Sequence, residues 1–499
     1  MTDQAGNAAV SETHSGVVFF VGDRAYKLKK PIDLGFLDFS TRERREHACH
    51  EEIRLNRRFA PDVYLGVCDV HGPDGEVCDH LVAMRRMPAD RRLSTLIKAH
   101  EPVEGPLRDT ARILAAWHAE APRGPHISAQ ETRDAVRSRW KDSFEQVRAL
   151  PDHGVARSAV TEIERLATAF LAGREALFDA RIADGRVVDG HGDLLATDIF
   201  CLDDGPRILD CLEFDERLRR LDGLDDASFL AMDLEHLGAP DLAERFIGWY
   251  TEFAADPAPA SLRHHYVAYR AFVRAKVACL RHVQGDARAA AEARGYADLA
   301  LRHLRAGKVD LVLVGGLPGT GKSSLAGALA DRLGCTLLSS DRVRKELAGI
   351  SPETPAATPY GTGIYTPEWS RRTYRELAER AARLLRLGET VILDASWTDE
   401  AERDLIASVA HREHADLVAL RCDAPEALAA ERMRQRTHGV SDADGDIALA
   451  MTTHASPWPE AATIDTSGTV SAALEQALPI VRPHGAELVW PCRPFLSPG

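Results

Sequence analysis

The chain has no cysteine pair at C-x-x-C spacing; its nine cysteines are scattered and odd in number. That excludes a zinc ribbon or a disulfide frame and points to thiols in a reducing compartment. It has no basic leader and no apolar run long enough to cross a bilayer, so a cytoplasmic protein with no membrane partner is expected. It also lacks a surplus of positive charge, because 62 Lys and Arg stand against 76 Asp and Glu for a formal net charge of −14. A phosphate-backbone binder needs the opposite sign, so no nucleic-acid partner is expected. His264-His265 and His411-x-x-His414 lack partners at metal-ligand spacing. No repeat of roughly 20–50 residues runs along the chain, which excludes a solenoid. What remains is a globular chain of 499 residues, room for about three domains of roughly 150 residues each.

What is present is, first, a glycine-rich loop. Gly315-Gly316-Leu317-Pro318-Gly319-Thr320-Gly321-Lys322-Ser323-Ser324 follows the apolar run Val309–Val314 and precedes a helical pattern through Leu325, Leu329 and Leu333. Gly316, Gly321, Lys322 and Ser323 fill the fixed positions of G-x-x-x-x-G-K-[ST] in its strand–loop–helix context. Glycines let successive backbone N–H groups turn inward as an anion nest at a helix N-terminus. Residues 316–324 are therefore expected to hold the phosphates of ATP, with Lys322 on the β- and γ-phosphates and Ser323 on Mg²⁺. Strands expected at 309–314, 335–340, 390–394, 415–421 and about 462–466 alternate with helical patterns, as a doubly wound parallel sheet requires.

The 300 residues before it read differently. Residues 1–15 are polar and expected to be disordered. Val17–Val21 and Ala25–Lys30 flank a turn as a hairpin, residues 41–59 form a charged helix, and further strands are expected near 61–67 and 81–87. This predicts a small β-rich lobe over about 16–90, and helical patterns dominate 91–305. Between them in character lies 187–214, a polar loop between short apolar strands that carries Asp193, Asp198 and Asp210. Three acids this close repel by about 4 kcal/mol per pair at 4 Å in an effective dielectric near 20. Mg²⁺ on ATP phosphates would relieve them.

His191-Gly192-Asp193, with Asp198 and Asp210 downstream, resembles the catalytic loop of aminoglycoside phosphotransferases and their eukaryotic-kinase-like relatives. That family reads H-G-D-x-x-x-x-N and then an Asp on the next strand; Asp198 stands where the family has Asn, keeping an oxygen ligand and adding a charge. The resemblance implies that Asp193 accepts the proton of an acceptor hydroxyl while Asp198 and Asp210 hold Mg²⁺. It also implies a strand lysine paired with a helix glutamate: Lys27 or Lys29 with Glu52, or with Glu51 or Glu46. The helix around Ala111–Ala121 with His118 resembles the family's helix ahead of the catalytic loop, His118 being read as structural.

In the second half, strand 335–340 ends at Asp341, with Arg344 three later. Taken as the neighbour of the P-loop strand, its tip places Asp341 beside the γ-phosphate to take a proton from an acceptor. Strand 390–394 ends in Asp394, a candidate Mg²⁺ contact, without the following Glu that an energy-coupling ATPase needs. Arg432 and Arg436 share a helix face and suit the charge on a transferred phosphoryl group. These features resemble the small P-loop kinases of the gluconate kinase, chloramphenicol phosphotransferase and zeta-toxin group. Ile364-Tyr365 and Tyr374 are candidate acceptor contacts, with core packing the stronger reading.

The order of the two halves resembles bacterial proteins described as bifunctional aminoglycoside phosphotransferase/ATP-binding protein. The resemblance implies an α/β multidomain chain: a bilobal protein-kinase-like (α+β) domain over 1–305, a P-loop kinase domain over 306–482, and a tail over 483–499. It implies an ATP- and Mg²⁺-dependent phosphotransferase acting on a small-molecule hydroxyl acceptor at two sites. Two alternatives stand beside it: a degenerate first domain that binds and regulates, and a polynucleotide or sugar-nucleotide kinase. Nothing in the sequence sets the oligomeric state.

Overall fold

Short apolar runs separated by tight turns build the first sheet. The structure, a computed structural model, describes residues 9–12, 16–33, 37–351, 354, 362–435, 451–453 and 455–482. Strands β1 (Ala9–Glu12), β2 (Gly16–Val21), β3 (Arg24–Lys29), β4 (Tyr64–His71) and β5 (Val77–Arg85) pair antiparallel in the order β1-β2-β3-β5-β4. β1 corrects the expectation of disorder over 1–15: Ala9–Glu12 pairs with β2, and Glu12 meets Lys30 at 2.6 Å. A polar segment can find its partner in an open sheet edge, which local composition does not encode. Helix Arg42–Asn56 is capped by the Thr41 hydroxyl. It buries Arg45, Ala48, Cys49, Glu52, Ile53 and Asn56, a stripe at helical spacing that mixes polar and apolar groups. Cys49 and Ile53 join Ala25, Val63, Tyr64, Val82 and Met84 in the core of this lobe.

Beyond residue 90 helices prevail. Two small antiparallel ribbons frame the acidic loop: β6 (Val187–Asp189) pairs with β9 (Arg220–Asp222), and β7 (Ile199–Leu202) with β8 (Gly205–Ile208). Directly after β9, helix Gly223–His236 is buried at every position from Gly223 to Leu234.

The second sheet is entirely parallel. Strands β10 (Asp310–Gly315), β11 (Thr336–Ser339), β12 (Val391–Asp394), β13 (Asp416–Asp423) and β14 (Ala462–Asp465) lie in the order β11-β12-β10-β13-β14. All six residues of β10 are buried, the mark of a strand covered on both faces. Val312, Val314, Ile392, Leu420 and Ile464 from the sheet pack with Leu325, Ala326, Leu329, Ala473 and Ala477 from helices. The order corrects one expectation: β11 is not the neighbour of the P-loop strand, because β12 lies between them. Strand adjacency in a parallel sheet is set by crossover connections, and strand-by-strand reading does not reveal them.

By its internal contacts the chain divides into two compact units. The first comprises Met1–Val155, Asp179–Ala258 and Tyr266–Ala300; the second comprises Ala156–Phe178, Pro259–His265 and Leu301–Gly499. The second unit thus includes helix Arg157–Ala172 from well upstream of the P-loop strand. The Arg174 guanidinium, fully buried, donates to the Glu413 carbonyl at 2.7 Å. Ser261 donates to the Gly388 carbonyl at 2.7 Å.

Candidate active sites

In the first unit, β3 places Lys27 and Lys29 on one side, two residues apart, and helix Arg42–Asn56 presents Glu52 to both. Lys27 Nζ lies 3.0 Å from Glu52 Oε1, and Lys29 Nζ 2.8 Å from Glu52 Oε2. Lys27 also donates to Asp210 Oδ1 at 2.6 Å, and Lys29 to Glu213. The other two glutamates are engaged elsewhere: Glu51 takes Arg54 at 2.6 Å, and Glu46 faces His80. Lys29 is enclosed beneath the Phe39 ring, which leaves Lys27 as the lysine on the side of the acidic loop. Burial opposes the charge on Lys27, but the carboxylates of Asp210 and Glu52 outweigh it and hold the ammonium protonated.

The acidic loop is held from behind by one helix. Asp226 Oδ2 accepts the His191 N–H at 2.7 Å, and Oδ1 accepts the Gly192 N–H at 2.8 Å. Its carboxylate also meets His118 Nε2 at 3.0 Å, and His118 Nδ1 meets the Tyr250 hydroxyl at 2.9 Å. Two helical turns on, Asp233 Oδ2 accepts the Ala196 N–H at 2.8 Å. Residues seven apart share a stripe of a helix, so this one stripe fixes both ends of the loop 191–196. Burial works against ionisation of Asp226, yet its hydrogen bond from His118 and the nearby His191 backbone hold it at about 2. His191 is pushed down by burial and stays neutral; its Nε2 meets the Leu209 carbonyl at 3.1 Å.

The three acids differ in environment. Burial pushes Asp193 up to about 6, with Arg274 opposing and Asp210 adding to the rise. Burial and the charges of Asp210 and Asp193 raise Asp198 well above the carboxylate range. Asp210, half exposed and in the left-handed region at φ +66°, is held low by the Lys27 ammonium. Among the described residues no three His, Cys, Asp or Glu side chains group as a metal cage. The donor set of Asp198 and Asp210 fits a hard cation that keeps its other ligands from nucleotide and water, as Mg²⁺ does.

In the second unit, β10 runs into the glycine loop and then helix Lys322–Leu333, whose N-cap is Gly321 at φ +86°. The loop is a cradle that side chains would fill. A Cβ on Gly316 (φ +143°) would lie 2.6 Å from Thr320 Oγ1, and one on Gly319 (φ +80°) 2.4 Å from the Ala429 carbonyl. Thr320 closes the turn by donating from N and Oγ1 to the Leu317 carbonyl. The Gly316 N–H donates to the Ser396 carbonyl at 3.3 Å. Pro318 is buried while Ser323 and Ser324 are exposed. Lys322 makes no ion pair among the described residues. Together with Asp394 it acts electrostatically on the Cys422 thiol, which burial pushes up to about 12.

Asp394 ends β12 as the register partner of Val314, so a buried carboxylate stands beside the last turn of the P-loop strand. Arg432 reaches back to the same loop: its Nη2 donates to the Thr466 carbonyl at 2.8 Å, and Nη1, buried without a hydrogen bond, lies 3.6 Å from where a Gly321 Cβ would sit. Arg436 lies outside the described residues, as does the tail 483–499. Asp341, in the first turn of helix Ser340–Leu347, makes no side-chain hydrogen bond among the described residues, and the N-cap is Ser339. Arg344 is spent on the Ile364 carbonyl and the Ser370 hydroxyl, both at 3.1 Å, over the Tyr365 ring. Tyr374 is buried, with its hydroxyl 3.4 Å from Ser396 Oγ.

Asp226, Asp233, Arg274 and Thr466 play no part in any short motif. The one sequence signal is that Asp225, Asp226 and Asp233 interrupt an otherwise apolar stretch over 223–234, and charge in a fully buried helix calls for partners.

A family profile described as an AAA domain matches residues 311–457. "Uncharacterized protein Rv2004c" of Mycobacterium tuberculosis strain H37Rv is 42% identical over 473 residues, 95% of each chain. "Uncharacterized protein Mb2027c" of Mycobacterium bovis matches to the same degree. Among solved structures, a choline/ethanolamine kinase family protein from Mesorhizobium loti is 16% identical over 61% of this chain and 88% of its own, with TM-score 0.38. A sugar kinase from Janibacter is 19% identical over 35% of this chain and 94% of its own, with TM-score 0.28. Among the described residues no helix is long and apolar enough to cross a membrane.

Proposed function

The chain belongs to the same family as Rv2004c, and from this premise we propose that it joins a protein-kinase-like part to a P-loop kinase part and is a phosphotransferase with two nucleotide sites. Each site transfers the γ-phosphate of ATP to a hydroxyl of a small molecule. In the first unit Lys27, held by Glu52, takes the phosphates, Asp198 and Asp210 hold Mg²⁺, and Asp193 receives the acceptor proton. Lys29, itself paired with Glu213, holds Glu52 from the other side. In the second unit residues 316–324 bind the phosphates through backbone N–H groups, Lys322 and Ser323. Asp394 faces the metal side of the loop, and Arg432 stabilises charge on the transferred group. Asp341, in the first turn of the helix that follows β11, is the proton acceptor of that site. When bound, Mg²⁺ neutralises charge on the transferred phosphate and fixes its oxygens.

The chemistry is positional. The acceptor oxygen bonds to the γ-phosphorus, the bond to the bridging oxygen breaks with its electron pair going to ADP, and the proton passes to the carboxylate. Asp226 and Asp233 keep that carboxylate's loop rigid. The observation that carries the two-site reading is Lys27 bridging Glu52 and Asp210, because the P-loop by itself would account for one site. Testing it requires the full chain with single changes, Asp193→Asn and Lys322→Ala, each assayed for phosphate transfer across a panel of hydroxyl compounds. Each variant is expected to lose one activity and keep the other. If both keep full activity on every acceptor, the two-site reading is wrong.

One observation favours a regulatory first unit instead: Asp198, in the metal-ligand position, is pushed toward its protonated form by burial and by its acidic neighbours. That reading predicts Mg²⁺-dependent ATP binding by the Lys322→Ala chain with no transfer to any acceptor.

A further inference from the structure

The surroundings of Asp193 carry a cation that the nucleotide chemistry leaves unused. Arg270 and Arg274 lie four residues apart on helix Ala260–Val283 and so share a face. Arg270 is spent: it grips Asp225 with two hydrogen bonds of 2.7 and 2.6 Å. Arg274 has no such carboxylate. Among the described residues it forms no ion pair, its Nε is buried without a hydrogen bond, and its one side-chain partner is the Tyr296 hydroxyl. It is nevertheless the foremost cation acting on Asp193. No ion pair or hydrogen bond joins the two among the described residues, so the guanidinium is not spent on the base.

The groups behind Arg274 extend the same character. Tyr296 stacks on His236 with ring centroids 3.8 Å apart and 16° between planes. Arg274 and Lys98 both bear on that histidine. Of the acids nearby, Asp233 accepts the Ala196 N–H at 2.8 Å while its charge also acts on Arg274, and Glu292 is paired with Arg281 at 2.9 Å. A guanidinium left with open donors is suited to a planar or tetrahedral oxyanion. Beside a proton-accepting carboxylate, it would fix the anionic end of a substrate whose hydroxyl meets the base. A polycationic acceptor would meet a like charge there.

Resting on the phosphotransferase reading of the first unit, we infer that its acceptor is a hydroxyl compound bearing an anionic group, carboxylate or phosphate, which Arg274 binds beside Asp193. The expected reaction forms the bond from acceptor oxygen to γ-phosphorus, breaks the bond to the ADP oxygen, and leaves the proton on Asp193. Carboxylate and phosphate acceptors share the recognition chemistry, and the assay separates them.

The test uses the full chain carrying Lys322→Ala, so that transfer by the P-loop site does not contribute. Labelled ATP is offered with glycerate, gluconate, glycerol phosphate and sugar phosphates on one side, and with glycerol, glucose, choline and kanamycin on the other. Transfer is expected to the anionic group alone. Arg274→Gln is expected to raise KM at least ~10-fold with kcat within ~3-fold, the signature of lost binding, and Arg274→Lys to fall between. Preference for the uncharged or cationic compounds, or an unchanged KM in Arg274→Gln, overturns the inference and leaves the kinase reading standing. If the Lys322→Ala chain transfers to neither group, the kinase reading of the first unit fails. Calorimetric titration with inorganic phosphate then decides the inference by itself. An isotherm weakened ~10-fold or more in Arg274→Gln keeps the anion site, and identical isotherms remove it.

Discussion

The two constellations proposed to bind phosphate meet the same electrostatic problem by opposite means. In the first unit the cation comes as a side chain held by side chains: Lys27 sits between Glu52, 25 residues away, and Asp210, 183 residues away. In the second, contiguous residues do the work. Backbone N–H groups, three glycines at positive φ and the N-terminus of helix Lys322–Leu333 form the nest, and Lys322 is left without an ion pair among the described residues. A charge held by carboxylates has already met its partners; Lys322 has met no carboxylate among the described residues. The first arrangement is tunable by any of several distant residues, while the second stands or falls with its own loop.

The largest effects are expected at the reacting groups. Asp193→Asn should lower transfer at the first site by about 10²–10⁴-fold, the usual worth of a positioned base, with P-loop transfer unchanged in single-turnover assays. A loss at both sites would show that they are not independent. Lys322→Ala should cost the second site on the order of 10³-fold, since charge on the transferred group loses its donor. ATP binding by the first site, followed by titration, should stay as it was. Arg432→Ala should cost about 10²–10³-fold in turnover at the second site; an unchanged rate would reduce Arg432 to a tie between its helix and the Thr466 carbonyl.

Smaller effects probe how each loop is supported. Asp226→Asn replaces a buried carboxylate that accepts two backbone N–H groups and meets His118, and should destabilise the first unit by about 3 kcal/mol. Calorimetry should show one transition moving and the other staying in place, because the chain is not a two-state unit. The pH dependence has a definite sign. Asp226 sits at about 2 in the folded chain against 3.8 for the free carboxyl. Its stabilisation, on the order of 2 kcal/mol, is fully present above pH 4 and disappears as pH falls through 2. Wild type should therefore lose stability across that window more steeply than Asp226→Asn; parallel profiles would remove Asp226 as the acid-sensitive anchor.

Much of the second site was legible because its chemistry is contiguous. Strand, glycines, lysine and helix follow one another, and β10 and residues 316–324 fall where the pattern places them. The ordering of strands was not legible: β12 lies between β11 and β10, so Asp394 and not Asp341 ends the strand adjoining the P-loop strand. In the first site the acids on their loop were visible, but alternation along β3 puts Lys27 and Lys29 on one side and offers no means of choosing between them. Burial under Phe39 separates them. Asp226 was hidden for a different reason. Its partners are the backbone N–H groups of His191 and Gly192, which every sequence possesses, so no residue type announces the contact.

By itself the sequence determined the local chemistry: where glycine must stand, where a helix begins on a phosphate nest, and which loop concentrates negative charge. These depend on backbone conformation and on charges a few residues apart. The tertiary structure decided that both lysines meet Glu52 while Lys27 also reaches Asp210, which aspartates hold the acidic loop, which strand adjoins the P-loop strand, and that Arg274 forms no ion pair among the described residues. Those outcomes depend on burial and on pairing between residues distant in the chain, where desolvation makes each missing or found partner count for more than any local preference.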